Sequence, residues 1–131
     1  MIDLALFIAV NTHYGQVDKS GQPYILHPLH VAHQFPPSDH NHRAVAILHD
    51  VLEANPALGP TLQDSFPTLF TSILAITRLS HETYADYIHR CAADPTARAV
   101  KIEDVKHNLY RLTPELESLR TRYTKALEIL Q

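Results

Sequence analysis

The segment Ala44–Leu52, read Ala-Val-Ala-Ile-Leu-His-Asp-Val-Leu, constrains the fold more than any other stretch of this chain. Coiled as a helix it is apolar on almost every side, so other elements must enclose it. Yet it carries His49 and Asp50, with Glu53 one turn further on. On an ideal helical wheel Glu53 lies about 40° and Asp50 about 100° from His49, which sets an imidazole and two carboxylates on one arc. Two ionised carboxylates buried without partners would cost several kcal/mol each. A divalent cation beside them removes that cost. A His-Asp pair taken alone also fits a salt-bridged helix end, so its chemistry depends on what else converges there.

The rest of the chain also reads as helical. Ile2–Val10 is apolar on nearly all sides, predicts a buried helix and stops near His13-Tyr14-Gly15. The stretch from Gly15 to Pro28, with Gly15, Gly21, Pro23 and Pro28, reads as an ordered loop. A short helix is expected to begin at Pro28 and end at Pro36-Pro37, and a longer one to run from a Ser38 or Asp39 cap to about Ala54. Further helices are predicted over Thr61–Ser65, Pro67–Arg78, Glu82–Ala93 and Pro95–Leu112, and a last one from a Thr113 cap to Leu130. No segment alternates with period two, and no repeat or linker divides the chain. The expectation is an all-α bundle forming one domain over residues 1–131.

Composition narrows the function classes. With 45% apolar and 19% charged residues, the chain has an interior to fill. A net charge of -3 argues against nucleic-acid binding, which needs a basic footprint, while leaving room for a local patch that holds one anion. No apolar run is long enough to cross a bilayer. Cys91 is the single cysteine, which excludes an intrachain disulfide and suits a reducing, cytoplasmic setting. The apolar first and last helices leave a helix-mediated homo-oligomer open.

Two more constellations could meet His49. On the helix from Pro95, Lys101, Asp104, Asn108 and Arg111 fall within about 80° of one another beside an apolar face. Asp104 would offer a hard oxygen ligand there, and the two cations could hold a phosphate. A solvated face with a Lys–Asp pair would look the same. His27, His30 and His33 stand at three-residue steps and lack the i, i+4 spacing of HExxH, so at most one or two of them can face one ion.

Taken together, four stretches carry a family resemblance: His13-Tyr14-Gly15-Gln16; Lys19-Ser20-Gly21-Gln22-Pro23-Tyr24-Ile25-Leu26-His27-Pro28; Ala46 through Glu53; and Val100-Lys101-Ile102-Glu103-Asp104 through Asn108-Leu109. Their order and spacing resemble the HD-domain phosphohydrolases, above all the hydrolase domain of RelA/SpoT homologues and the small alarmone hydrolases. The resemblance implies a helical bundle around one divalent metal, manganese in the alarmone hydrolases, held by His27, His49, Asp50 and Asp104. It implies Glu53 as the residue that orients or deprotonates the attacking water, and Lys19, Ser20, Lys101 and Asn108 as nucleotide-facing groups. A stretch from Thr77-Arg78 to His89-Arg90 looks like a segment of short bacterial relatives and adds Arg78 and Arg90 as candidate cations.

The implied activity is metal-dependent hydrolysis of a nucleotide phosphate, with removal of the 3′-pyrophosphate from a (p)ppGpp-type alarmone as the specific case. Two positions depart from the pattern. Ala54 replaces an aspartate that usually follows the glutamate, and Asp18 replaces an arginine that packs on guanine. They leave a second class open, a degenerate domain that binds nucleotide or metal in a regulatory role.

Overall fold

The computed structural model describes residues 1–131, and it is all-α, as the sequence predicts. The central element is α3 (His40–Leu48), which packs against α1 (Ile2–His13), α2 (Leu26–His33), α6 (Phe70–Ala75) and α8 (Pro95–Tyr110). Its residues Ala44 to Leu48 are all buried, so the enclosure expected of this segment is realised. The short α4 (Val51–Ala54) follows, then a 3₁₀ turn at Pro56–Leu58 and α5 (Gly59–Ser65). Beyond α6, α7 (Tyr84–Ala92) and α9 (Arg120–Leu130) pack together, and both also pack against α8.

Several boundaries differ from expectation for identifiable reasons. The predicted helix over Asp39–Ala54 is broken at His49-Asp50, where Asp50 leaves helical geometry at φ -106°, ψ 1°. At the break, the His49 ring Nδ1 takes the Ala46 carbonyl at 2.6 Å, and the His49 backbone N–H reaches that carbonyl only at 3.4 Å. The wheel angles drawn through His49 therefore do not describe Asp50 and Glu53, because the chain is re-aimed between them. The α6 helix is shorter than the predicted Pro67–Arg78, and the last helix opens with a 3₁₀ segment, Pro114–Leu119. Pro28 falls in the third helical position of α2, since Leu26 and His27 are already helical.

The first helix is not fully buried. Ala5, Ile8 and Ala9 enter the core against α3 and α4, while Leu4, Phe7 and Val10 on the outer side remain exposed. Its all-round apolarity misled the sequence reading. No helix is long and apolar enough to cross a membrane.

The loop between α1 and α2 is ordered by its own hydrogen bonds. Asp18 Oδ1 accepts from the backbone N–H of Ser20 at 2.8 Å and of Gln22 at 3.0 Å. The turn needs a left-handed residue at Gly21, with φ +80°, where any side chain would be strained. Tyr24 N–H then returns to the Gln16 carbonyl at 2.8 Å. The loop thereby delivers Tyr24 and His27 to the centre of the bundle.

Candidate metal centre and the adjoining pocket

Three buried side chains from three helices meet: His27 from α2, His49 at the break after α3, and Asp104 from α8. One ligand atom from each lies within 4.8 Å of the other two. His27 Nε2 is 2.8 Å from Asp104 Oδ1, and His49 Nε2 is 3.7 Å from the same oxygen. Asp50 stands at the edge of this group, its Oδ2 3.1 Å from His49 Nε2. Two donors each about 2.1 Å from one ion are about 3 Å apart at a right angle and about 3.4 Å apart at the tetrahedral angle. The 2.8 and 3.7 Å separations bracket those values, so the cluster is a candidate metal site.

The state of His49 sharpens the point. A carbonyl can only accept, so Nδ1 is the N–H that donates to Ala46 O, and Nε2 turns toward two carboxylates. Nε2 is buried and makes no hydrogen bond, with Asp50 Oδ2 at 3.1 Å and Asp104 Oδ1 out of reach at 3.7 Å. A neutral ring would aim a lone pair at two anions. A cation relieves this, and an imidazole whose far N–H is held by a carbonyl is a common metal-ligand arrangement. Without one the ring holds a proton: burial opposes the charge, but Asp50 and Asp104 outweigh it and raise the His49 pKa well above the usual histidine range.

The acids are correspondingly ionised. Burial works against Asp104, yet Lys101, His49 and the hydrogen bond from His27 hold its carboxyl well below the ordinary range. Lys101 Nζ donates to Asp104 Oδ2 at 2.7 Å, and Asn108 Nδ2 donates to Oδ1 at 3.2 Å. Asp50 is likewise depressed despite its burial, chiefly through His49. Its Oδ2 accepts from the Tyr24 hydroxyl, whose own pKa is raised by burial and by Asp50. Glu53 lies toward solvent, where Oε1 accepts the Arg78 backbone N–H at 2.8 Å. Partial desolvation and the charge of Asp50 push its pKa up, making it a better base than a free glutamate.

His27, Asp50, Glu53 and Asp104, with His49 buried behind them, line a cavity of about 300 Å³ that also receives Arg78, Arg111 and Arg122. Arg78 and Arg122 both lie over the Tyr84 ring, at 5.5 and 4.8 Å. An adjoining pocket of about 520 Å³ is lined by Lys19 and Ser20 together with Leu112, Leu116 and Leu119. The two share Tyr24, Asn108, Arg111 and Tyr123 as a common wall. One is charged and the other mixed, with leucines and tyrosines beside its polar groups, a division suited to a molecule with a phosphate end and a planar end.

Most of the predicted site residues therefore face one of two connected cavities. Lys101 is engaged by Asp104, which limits its freedom to hold a phosphate. Arg90 lies outside the site. Its guanidinium is spent on both Glu82 oxygens and on the carbonyls of Leu74, Ala75 and Thr77, so it straps α6 to α7. Arg122, Tyr84 and Tyr123 were missed, since only tertiary packing brings α7 and α9 to the cavity. His107 was missed too. It sits one residue before Asn108, with its Nδ1 2.8 Å from His27 Nδ1 and its ring 3.7 Å from that of His30. Burial and those two rings push its pKa down to about 4.

Comparison with solved structures decides the fold. A metazoan ortholog of SpoT that hydrolyzes ppGpp superposes with a TM-score of 0.81 over 99% of this chain and 85% of its own, at 21% identity. The fold is that of a SpoT ortholog. Sequence comparison agrees over nearly the whole chain. The guanosine-3′,5′-bis(diphosphate) 3′-pyrophosphohydrolase of Haemophilus influenzae is 31% identical over 93% of this chain and 20% of its own length. A probable GTP pyrophosphokinase of Mycobacterium leprae is 29% identical over 99% of this chain and 18% of its own. The chain thus spans about a fifth of the length of these curated relatives. No family model matches the chain. The resemblance to RelA/SpoT homologues drawn from its motifs holds, and the His27–His49–Asp104 cluster of this SpoT-type fold is a candidate divalent-metal site.

Proposed function

We propose that this chain is a divalent-metal-dependent phosphohydrolase that removes the 3′-pyrophosphate from a (p)ppGpp-type guanosine nucleotide. The observation that carries the reading is His49, whose Nδ1–H is fixed on Ala46 O while Nε2 faces Asp50 and Asp104. His27, His49, Asp50 and Asp104 would hold the metal. Two imidazoles with two carboxylates suit manganese or an ion of similar hardness. When bound, such an ion supplies an acidified water and neutralises negative charge on the phosphoryl oxygens.

The remaining work falls to the chain's own residues. Glu53, made more basic by its surroundings, takes a proton from the attacking water, with its orientation set by the Arg78 backbone N–H. Arg78, Arg111 and Arg122 gather the phosphates in the charged cavity. Lys19, Ser20 and Asn108 guide the nucleoside, whose base enters the adjoining pocket beside Leu112 and Leu116. Asp18, which replaces the expected arginine, lies on the wall of that pocket as a half-buried acid 3.5 Å from Arg111. It organises the loop and pairs a cation, so the base contact differs from the pattern the motif implies. The single cysteine thiol, buried in the core, accords with a reducing cytoplasm.

The relatives' names cover both making and breaking such nucleotides. A metal-ligand cluster beside a basic carboxylate favours breaking. The test is release of pyrophosphate from guanosine 3′,5′-bis(diphosphate) by the purified chain with Mn2+. Turnover is expected. A chain that retains metal yet turns over no nucleotide would instead be a regulatory binding domain, the reading that Ala54 and Asp18 favour.

A further inference from the structure

The two histidines of the candidate metal centre are held from behind in different ways. His49 Nδ1 meets the Ala46 carbonyl, which can only accept, so its tautomer is fixed. His27 Nδ1 instead meets another imidazole nitrogen, His107 Nδ1, at 2.8 Å. Two such atoms at this distance share one proton, and either can be the donor. The other nitrogen of His27 settles which. Both oxygens of Asp104 already accept, from Lys101 Nζ at 2.7 Å and Asn108 Nδ2 at 3.2 Å, so at 2.8 Å His27 Nε2 carries the proton and His27 Nδ1 accepts from His107. If His27 Nε2 is to give its lone pair to a cation, the shared proton must pass from His107 Nδ1 to His27 Nδ1 as the Nε2 proton leaves to solvent, and His107 must take up a proton at its Nε2 to stay neutral while its Nδ1 becomes the acceptor.

The geometry points to His107 as the positioning residue of this site, the partner that lets His27 exchange tautomers between the metal-free and metal-loaded states. The inference rests on the metal reading given above. His107 is well placed for the role. It lies on α8, three residues after Asp104, so the helix that supplies one ligand also supplies the partner of another. Its ring is stacked on His30 with an interplanar angle of 15°, which fixes the plane that Nδ1 presents to His27. The rings of His27 and His107 are themselves within 8° of parallel, which leaves the shared proton in the plane of both. A leucine in place of His107 would fill space but strand His27 Nδ1, whereas glutamine can still accept through its oxygen or donate through its nitrogen.

The test measures metal affinity and ring protonation rather than turnover. Competition against a chromophoric chelator with Zn2+ and Mn2+ should show H107L binding about ten- to a hundredfold more weakly than wild type, with H107Q recovering most of the loss. In the wild type, ring 15N spectra of His27 should report Nε2–H without metal and Nδ1–H with Zn2+ bound. This spectral exchange needs no variant to fold. Equal affinity in H107L, or H107Q as weak as H107L, would overturn the assignment and reduce His107 to a packing residue. An unchanged His27 tautomer on Zn2+ binding would overturn it as well. A wild type that binds neither metal would overturn the metal centre itself, which separates the two failures.

Discussion

Around His27, His49 and Asp104 each acid is matched by buried partners, whereas the neighbouring pocket sets the half-exposed Asp18–Arg111 pair beside Leu112 and Leu116. In the first region the buried Asp104 carboxylate is held by Lys101, His27 and Asn108 together. The second draws its walls from a loop, the end of α8 and the 3₁₀ segment before α9, and mixes its polar groups with leucines. On the proposed reading, chemistry falls to the first and selection to the second. Changes in the charged cavity should therefore affect metal and turnover, and changes in the pocket should affect substrate affinity.

The largest effect is expected at Asp104. Asp104→Ala leaves the Lys101 ammonium buried and unpaired, a defect that costs about 3–5 kcal/mol where a buried pair is broken. Metal retention and activity should both disappear, and the melting temperature should fall; a variant as stable as wild type would contradict the tight pairing described. Next comes Glu53→Gln, which keeps the acceptor for the Arg78 N–H but not the base. Turnover should drop about 10²–10⁴-fold with metal content unchanged. Equal loss of metal would move Glu53 into the ligand set.

The comparison also predicts a pH dependence confined to the first region. In the metal-free protein Asp50 and Asp104 keep His49 protonated through neutral pH, against the effect of burial. Metal must then displace that proton, so apparent affinity should rise with pH by about tenfold per unit while the ring stays charged. Titrations between pH 6 and 8 would show it, and a flat profile would mean His49 is already neutral. The smallest effect is expected at Asp18→Asn, whose oxygen still accepts from Ser20 and Gln22 while its pairing with Arg111 is lost. KM should shift by less than about tenfold with kcat and metal binding intact. A collapse of kcat would erase the division between the two regions.

Much of this was legible in the sequence, and the reasons differ by residue. The all-round apolarity of Ala44–Leu52 correctly announced a central element, and motif order singled out His27, His49, Asp50 and Asp104. What failed was local geometry. The break at His49-Asp50 arises because a side chain competes for the Ala46 carbonyl, an event that periodicity does not record. Phe7 looked like core and is two-thirds exposed, since an apolar helix does not reveal how many neighbours it will find. Arg122, Tyr84 and His107 carried no signal of their own. They enter the site only because α7, α8 and α9 pack together.

If side chains from separate elements share one cation, native mass spectrometry of the wild type with Mn2+ measures it directly. One tightly retained ion per chain, lost in His49→Ala, is the predicted result. No retained ion, or weak adducts that persist unchanged in His49→Ala, would contradict it.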